Sequence, residues 1–94
     1  MTPEEEIRRG ERARAITQDD VYVEAMEKLK KGVIDMWAAT PARDTEGREW
    51  LWQQYQAALR FEQALQETMN TGKLALEAKK RGLVERALHA VGAK

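Results

Sequence analysis

The side chains that most often perform covalent catalysis are nearly absent from this chain of 94 residues. The sequence has no serine and no cysteine, and its one histidine is His89. A Ser-His-Asp or Cys-His arrangement cannot be assembled without them, and a zinc site needs three or four ligands. We therefore predict that the protein is not an enzyme and that it has no catalytic residues, cofactor or metal site. We expect His89 to have a surface or packing role.

Two short patterns resemble known sites but fit ordinary helical roles better. Glu46 and Glu49 are three residues apart, which would suit acid–base chemistry, yet carboxylates also stabilise the start of a helix. We favour the helix-start interpretation. Gly72-Lys73 resembles the end of a phosphate-binding loop, but the preceding glycine is missing and Leu74 stands where that motif needs a hydroxyl. We reject this second site.

An aromatic cluster occupies the central third of the chain. Its members could stack on nucleotide bases, but their helical spacing favours packing in a core or at a subunit interface. The sequence therefore gives five aromatic candidates for a protein interface: Trp37, Trp50, Trp52, Tyr55 and Phe61.

The charges are divided unevenly, although the net charge is zero. Residues 73–94 carry six basic and two acidic side chains, a balance of +4, which leaves −4 on the remainder. The basic side chains are candidate contacts for nucleic-acid phosphates, and they are Lys73, Lys79, Lys80, Arg81, Arg86 and Lys94. Cations at a solvated helix end are the simpler explanation, and we favour it. The same segment carries an apolar row, which is a further candidate protein interface: Leu83, Val84, Leu88 and Val91.

Composition and spacing predict that helices carry all these side chains. Strong helix formers dominate, and no alternating β-branched run of strand length occurs. Between residues 46 and 69, positions that share one helical face are apolar except for Glu62. They are Leu51, Tyr55, Ala58, Glu62, Leu65 and Met69. A second row lies beside the first, and it comprises Trp50, Gln54, Ala57, Phe61 and Ala64. A stripe of this width is expected to have neighbours on more than one side.

A second long helix is predicted from about residue 19, after capping residues at 17–20. Its apolar row is Tyr22, Met26, Leu29, Val33 and Met36, widened by Val23, Ile34 and Trp37. Gly32 favours close helix–helix packing, with a hinge as the alternative. The connection around Pro41 is short, which favours an antiparallel hairpin. Either Thr40 caps a short turn in this connection or Asp44 caps the central helix. Asn70-Thr71-Gly72 is expected to stop or kink the central helix.

The two ends of the chain are expected to form smaller helices. Thr2-Pro3-Glu4-Glu5 predicts a helix start, but residues 3–16 have too few apolar side chains to dock firmly. We expect one domain with a mobile N-terminal helix over residues 1–18, a hairpin over 19–72 and a basic helical segment over 73–94, broken near Gly82.

The predicted fold class is therefore all-α, a long antiparallel helical hairpin with smaller N- and C-terminal helices. We expect it to self-associate, because two broad apolar stripes exceed what a bare hairpin covers. The sequence predicts neither a secretory signal nor a membrane-spanning apolar run.

Two pieces of the chain together resemble a known group of proteins. They are residues 40–49, with the aromatic and leucine-rich helix after them, and Thr71-Gly72-Lys73-Leu74-Ala75; residues 9–13 add to the likeness. This pattern resembles short uncharacterised helical proteins encoded among the head and DNA-packaging genes of tailed bacteriophages. The resemblance covers roughly residues 9–75 and offers no catalytic residues to carry over.

The resemblance implies a virion-assembly or packaging role, in the host cytoplasm or the virion. We expect a non-enzymatic assembly factor that binds a capsid, portal or terminase protein and further copies of itself. One alternative is a nucleic-acid-binding packaging or regulatory module that uses the basic C-terminal segment. Another is an inhibitor directed at a host protein.

Overall fold

A computed structural model describes residues 1–92. Three helices account for nearly all of them: α1 over Pro3–Gln18, α2 over Asp20–Ala39 and α3 over Thr45–Gly92. The described residues contain no strand, so the prediction of an all-α protein is confirmed. The molecule is elongated, with extents of 77 × 25 × 19 Å.

Local capping explains where the helices begin and end. The Thr2 hydroxyl accepts a hydrogen bond from the backbone N–H of Glu5 at 3.2 Å, as the sequence predicted. Asp19 separates α1 from α2, and its carboxylate accepts hydrogen bonds from the backbone N–H groups of Val21 and Tyr22 at 2.9 and 3.1 Å. Asp44 caps α3, one of the two predicted alternatives, by accepting a hydrogen bond from the Gly47 N–H at 3.0 Å. Thr40 instead closes α2, and its hydroxyl donates to the Met36 carbonyl at 2.7 Å.

The longest element, α3, is the helix along which the other two pack. Its 48 residues span about 72 Å at 1.5 Å per residue. The predicted row is the contact row, and every member is buried or half-buried: Leu51, Tyr55, Ala58, Glu62, Leu65 and Met69. The row continues through Gly72 to Leu76 at the same three- and four-residue steps.

The predicted stop at Asn70-Thr71-Gly72 is wrong, because α3 passes through these residues without interruption. A C-cap glycine adopts a positive φ, and no described glycine has one. The absence of a side chain at Gly72 serves α1 instead. A Cβ atom built there would lie 2.8 Å from the Glu6 carbonyl oxygen and 2.8 Å from the Gly10 Cα atom.

The expectation that α1 docks poorly is also wrong. It assumed that docking needs large apolar side chains, whereas α1 reaches α3 through its backbone. Gly10 is buried, and a Cβ atom built on it would lie 2.9 Å from the Gly72 Cα atom. One helical turn further on, Ala13 is only 2% exposed. The Thr17 hydroxyl then lies 3.6 Å from the Met69 sulfur.

Larger side chains separate α2 from α3. Met26 of α2 is buried, as are Leu51 and Ala58 of α3. Of the other members of the predicted α2 row, Tyr22 and Val33 are half-buried, while Leu29 is 51% exposed and Met36 is 56% exposed. Half-buried Lys30 occupies the inner side of α2 and pairs with Glu62. Gly32 does not support close packing within the chain, since no described heavy atom lies within 4 Å of a Cβ atom built on it.

The prediction of a separate C-terminal helix is wrong as well. α3 continues through Gly82 to Gly92 without a break. From residue 77 to residue 91 its side-chain positions are exposed, apart from half-buried Gly82. The buried row ends there although Leu83 and Ala90 would extend it, because no other described helix covers this segment.

The glycine contact between α1 and α3 gives a first testable prediction. Gly72→Ala adds a methyl group against backbone atoms that cannot rotate away, so it is expected to lower the free energy of unfolding by about 1–3 kcal/mol. Gly82→Ala is the matched control, because no described heavy atom lies within 4 Å of its Cβ position and alanine favours a helix. Urea unfolding followed by circular dichroism measures both. A Gly72→Ala variant as stable as Gly82→Ala would contradict the close contact.

Candidate interaction surface

Most large apolar side chains of the chain lie on its surface. The buried hydrophobic residues among those described are Ala13, Met26, Leu51 and Ala58. All three tryptophans are about half exposed: Trp37 at 45%, Trp50 at 54% and Trp52 at 56%. Soluble monomers rarely expose large contiguous apolar patches, and such patches commonly mark interaction sites. The candidate functional site is therefore a surface formed jointly by α2 and α3.

Trp50 and Trp52 lie on opposite sides of the layer formed by α2 and α3. Residues two apart on a helix point about 200° away from each other, and the contact row containing Leu51 lies between them. The layer therefore has two apolar faces, which we call the Trp50 face and the Trp52 face.

The Trp50 face is a shallow groove of about 460 Å³ between the two helices. Its floor is the shared contact row, and its walls are the half-exposed side chains of both helices. The residues that line it are Met26, Leu29, Val33, Met36, Trp50, Leu51, Gln54, Ala57, Ala58 and Phe61. Phe61, 55% exposed, is supported by Tyr22, with ring centroids 6.3 Å apart and planes tilted by 42°. None of these ten side chains is charged.

The Trp52 face contains a smaller groove of about 320 Å³. The residues that line it are Val33, Ile34, Trp37, Leu51, Trp52 and Tyr55. Ile34 is 50% exposed and Tyr55 is half-buried. Val33 and Leu51 line both grooves, so the two faces share one floor.

Arg48 fixes the aromatic end of the Trp52 face. Its guanidinium lies 4.0 Å from the centre of the Trp37 ring, within the range of a cation–π contact. The same group donates to the Trp37 carbonyl at 3.3 Å and to the Thr40 carbonyl at 2.9 Å. These carbonyls lie at the free end of α2, where a cation is favourable. One side chain thus ties the end of α2 to the start of α3 and orients Trp37.

A salt bridge lies inside the contact between α2 and α3. The Lys30 ammonium donates to both carboxylate oxygens of Glu62 at 3.1 and 3.2 Å. This hydrogen bonding raises the pKa of Lys30 above its ordinary value of 10.5, against an opposing effect of desolvation. Glu62, the one charged member of the α3 contact row, therefore has a partner. The two other ion pairs of the described residues, Glu24–Lys28 and Lys31–Asp35, are exposed pairs within α2.

Most of the C-terminal candidates lie on the exposed segment of α3 from residue 79 onward, whereas Lys73 lies beside α1 and lines a depression with Gly10 and Glu11. The apolar candidates are all exposed: Leu83, Val84, Leu88 and Val91. The basic candidates are exposed too, and they are Lys73, Lys79, Lys80, Arg81 and Arg86. Lys94 lies outside the described residues. None of the described C-terminal candidates is near the aromatic faces, so the predicted interface residues form two separate surfaces.

The remaining candidates have simple structural places. Glu46 is in the first turn of α3, and His89 is exposed in its last turn. Glu49 lines a shallow depression with Trp37, Arg48 and Trp52. The described part of the chain contains no group of three or more His, Cys, Asp or Glu side chains placed to hold a metal ion. No helix within residues 1–92 is both long and apolar enough to cross a membrane.

Comparisons of the chain with protein-family models, with curated proteins and with solved structures each give no match.

Sequence reasoning missed two features that set the geometry of these faces. The first is the Gly10–Gly72 contact, whose only sequence signal is a glycine in each of two helical stretches. The second is the Lys30–Glu62 pair. Glu62 is charged within an otherwise apolar row, and this indicated that it has a buried partner. Lys30 lies 32 residues away in sequence, and periodicity could not distinguish it from the other lysines.

The raised pKa of Lys30 gives a second prediction. A folded-state pKa above the unfolded value means that the pair stabilises the fold at neutral pH and loses this effect as pH rises through the folded-state pKa. The difference in melting temperature between the parent and Lys30→Met is therefore expected to shrink as pH rises above 10.5, the ordinary pKa of lysine.

Lys31→Met is the matched control for this titration. The Lys31–Asp35 pair is strongly exposed, with side chains at 77% and 62%, and such pairs contribute little. Its melting temperature should follow that of the parent closely across the same range. Equal pH dependence in the two variants would contradict a specific role for Lys30.

Proposed function

We propose that this protein is a non-enzymatic bacteriophage assembly factor that acts by binding another protein through exposed helical faces. The resemblance to proteins of phage head and packaging gene clusters supports a capsid, portal or terminase protein as the partner, in the host cytoplasm or the virion. The observation that carries the binding role is the exposure of large apolar side chains along α2 and α3. We also propose that α2 and the first half of α3 work as one antiparallel helical hairpin.

The Trp52 face suits a protein partner in its composition. Tryptophan, tyrosine and arginine are the residues most enriched in binding hot spots, and Trp37, Arg48, Trp52 and Tyr55 stand together here. Arg48 holds Trp37 by a cation–π contact and two hydrogen bonds, so little side-chain freedom remains to be lost on binding. The groove of about 320 Å³ between the rings has room for one apolar anchor of a partner.

The test is direct binding to purified phage proteins. Purified capsid, portal and terminase proteins of a tailed bacteriophage are titrated with the chain in a calorimeter. Trp52→Ala is expected to weaken binding about 30-fold or more, the loss that corresponds to a hot spot of about 2 kcal/mol.

Leu74→Ala is the matched control, since Leu74 is 65% exposed on α3 away from both faces, and it should bind like the parent. Failure of all three phage proteins to bind would overturn the assembly role. Binding to a host protein instead, with the same dependence on Trp52, would favour a host-directed inhibitor.

A second candidate function is DNA packaging or regulation through nucleic-acid binding. The observation that favours it is the exposed basic segment of α3, where Lys79, Lys80 and Arg81 follow one another beyond the packed part of the molecule. Against it, the rest of the chain carries the opposite charge, which weakens any general attraction to DNA.

Salt dependence distinguishes the two functions. If the segment binds duplex DNA, each phosphate contact releases counterions, and the affinity falls steeply with salt. Lys79→Ala/Lys80→Ala/Arg81→Ala should then abolish binding in a fluorescence anisotropy titration, and Leu83→Ala/Leu88→Ala should not. We expect no tight DNA binding by the parent, and we expect the leucine variant to lose protein binding if this segment contributes to the interface.

A further inference from the structure

The groove of the Trp50 face opens between two uncharged exposed stripes, one on each helix, and we include both stripes in this face. On α2 the stripe is Ala25, Leu29, Gly32, Met36 and Ala39, and on α3 it is Trp50, Gln54, Ala57, Phe61 and Ala64. Each stripe steps by four and three residues, which keeps its members on one side of a helix. All ten residues are exposed. The face is therefore an uncharged, mostly apolar surface that no other helix of the described chain covers.

Gly32 stands at the centre of the α2 stripe, where the chain itself gives it no function. A glycine within a helix costs about 1 kcal/mol relative to alanine. At Gly10 and Gly72 this cost is offset by the close approach of two helices. At Gly32 the space above the helix is empty, with no described heavy atom within 4 Å of a Cβ atom. A helix from outside the chain can approach α2 closely at this point.

The size of the Trp50 face fits a stable interface. α2 is 20 residues long, so the face extends for about 30 Å, and two packed helices are about 20 Å wide with their side chains. The product is roughly 600 Å² in projection. A folded surface presents more accessible area than its projection, and a stable dimer buries about 800 Å² on each partner.

The pattern of the α2 stripe identifies the occupant. Large and small residues alternate symmetrically around Gly32, so the stripe reads small, large, small, large, small in both directions. A two-fold interface brings the same surface of two copies together, and two α2 helices related in this way run antiparallel. Small residues then meet small ones at Gly32 and at the two ends.

Charges beside the stripe are complementary in the same arrangement. Lys28 lies four residues before Gly32, and Asp35 lies three residues after it. An antiparallel crossing centred on Gly32 places Lys28 of one copy opposite Asp35 of the other, twice by symmetry. Within one chain, Lys28 pairs with Glu24 and Asp35 pairs with Lys31, and both pairs are exposed on α2. Lys28 and Asp35 are therefore free to turn toward a second copy.

We propose that a second copy of this chain covers the Trp50 face, with the two α2 helices antiparallel and crossing at Gly32. This proposal deepens the protein-binding function proposed above by assigning one face to self-association. It leaves the Trp52 face on the outside of the dimer.

Gly32→Gln tests the crossing without threatening the fold. Glutamine adds no charge, favours a helix and meets open space in the single chain, so circular dichroism should show an equally folded protein. Gly82→Gln is the matched control, because Gly82 also lies in a helix with open space around it. Sedimentation equilibrium is expected to give twice the chain mass of 10.8 kDa for the parent and for Gly82→Gln at micromolar concentration. The dimer dissociation constant of Gly32→Gln should be at least tenfold higher.

A disulfide assay tests the direction of the crossing. The chain has no cysteine, so single-cysteine variants report only the positions chosen. Ala25→Cys mixed with Ala39→Cys should give mixed disulfides on mild oxidation in preference to either homodimer. A preference for the homodimers would overturn the antiparallel crossing.

Three mass results would also overturn the proposal: a monomeric parent, a species larger than a dimer, and a dimer that Gly32→Gln leaves unchanged. None of them bears on the Trp52→Ala titration, so failure of the dimer and failure of the proposed function are separable.

Discussion

The close approach of two backbones at Gly10 and Gly72 is the constraint on which the packing of α1 depends. The chain has few large apolar side chains in α1, so burial of bulky groups cannot hold that helix. Glycines at both sides of the crossing instead let main-chain atoms come into contact, and many small dispersion contacts replace a few large side chains. Ala13 extends the contact by one turn, since it too is small enough for the short distance between the helices.

In contrast, α2 and α3 are separated by large side chains, and this separation leaves apolar faces exposed. Met26, Leu51 and Tyr55 are too large for backbones to touch, so the two helices are held apart by one layer of side chains. A single layer covers only the row between the helices and leaves the flanking rows exposed. The Lys30–Glu62 bridge narrows the apolar part of that layer further. Leu29, Met36, Trp50 and Phe61 therefore lie at the edge of the contact rather than within it.

The parts of this fold that were predictable from sequence are those with local causes. Thr2, Asp19 and Asp44 cap helices through bonds to neighbours two or three residues away, and periodicity alone identifies the α3 contact row. The errors at Gly72 and Gly82 arose because a glycine that ends a helix and a glycine that admits a neighbouring helix look alike in sequence. Only the position of α1 decides between them at Gly72. For Gly32 the prediction was close helix packing, with a hinge as the alternative, and no described heavy atom lies within 4 Å of a Cβ atom built there.

The candidate surface was predictable in its residues but not in its arrangement. Clustered tryptophans indicated an interface, whereas the separation into two faces depends on which side of α3 receives α2. The division into two faces has a functional consequence if two copies associate through their Trp50 faces. The dimer would then present two identical Trp52 faces, each with its own Arg48-supported aromatic groove. A partner that is itself repeated, as the subunits of an oligomeric ring or shell are, could engage both faces at once, and the second contact would form at a high effective concentration. Modest affinity at a single groove would then suffice for assembly, while an isolated partner subunit would be bound weakly.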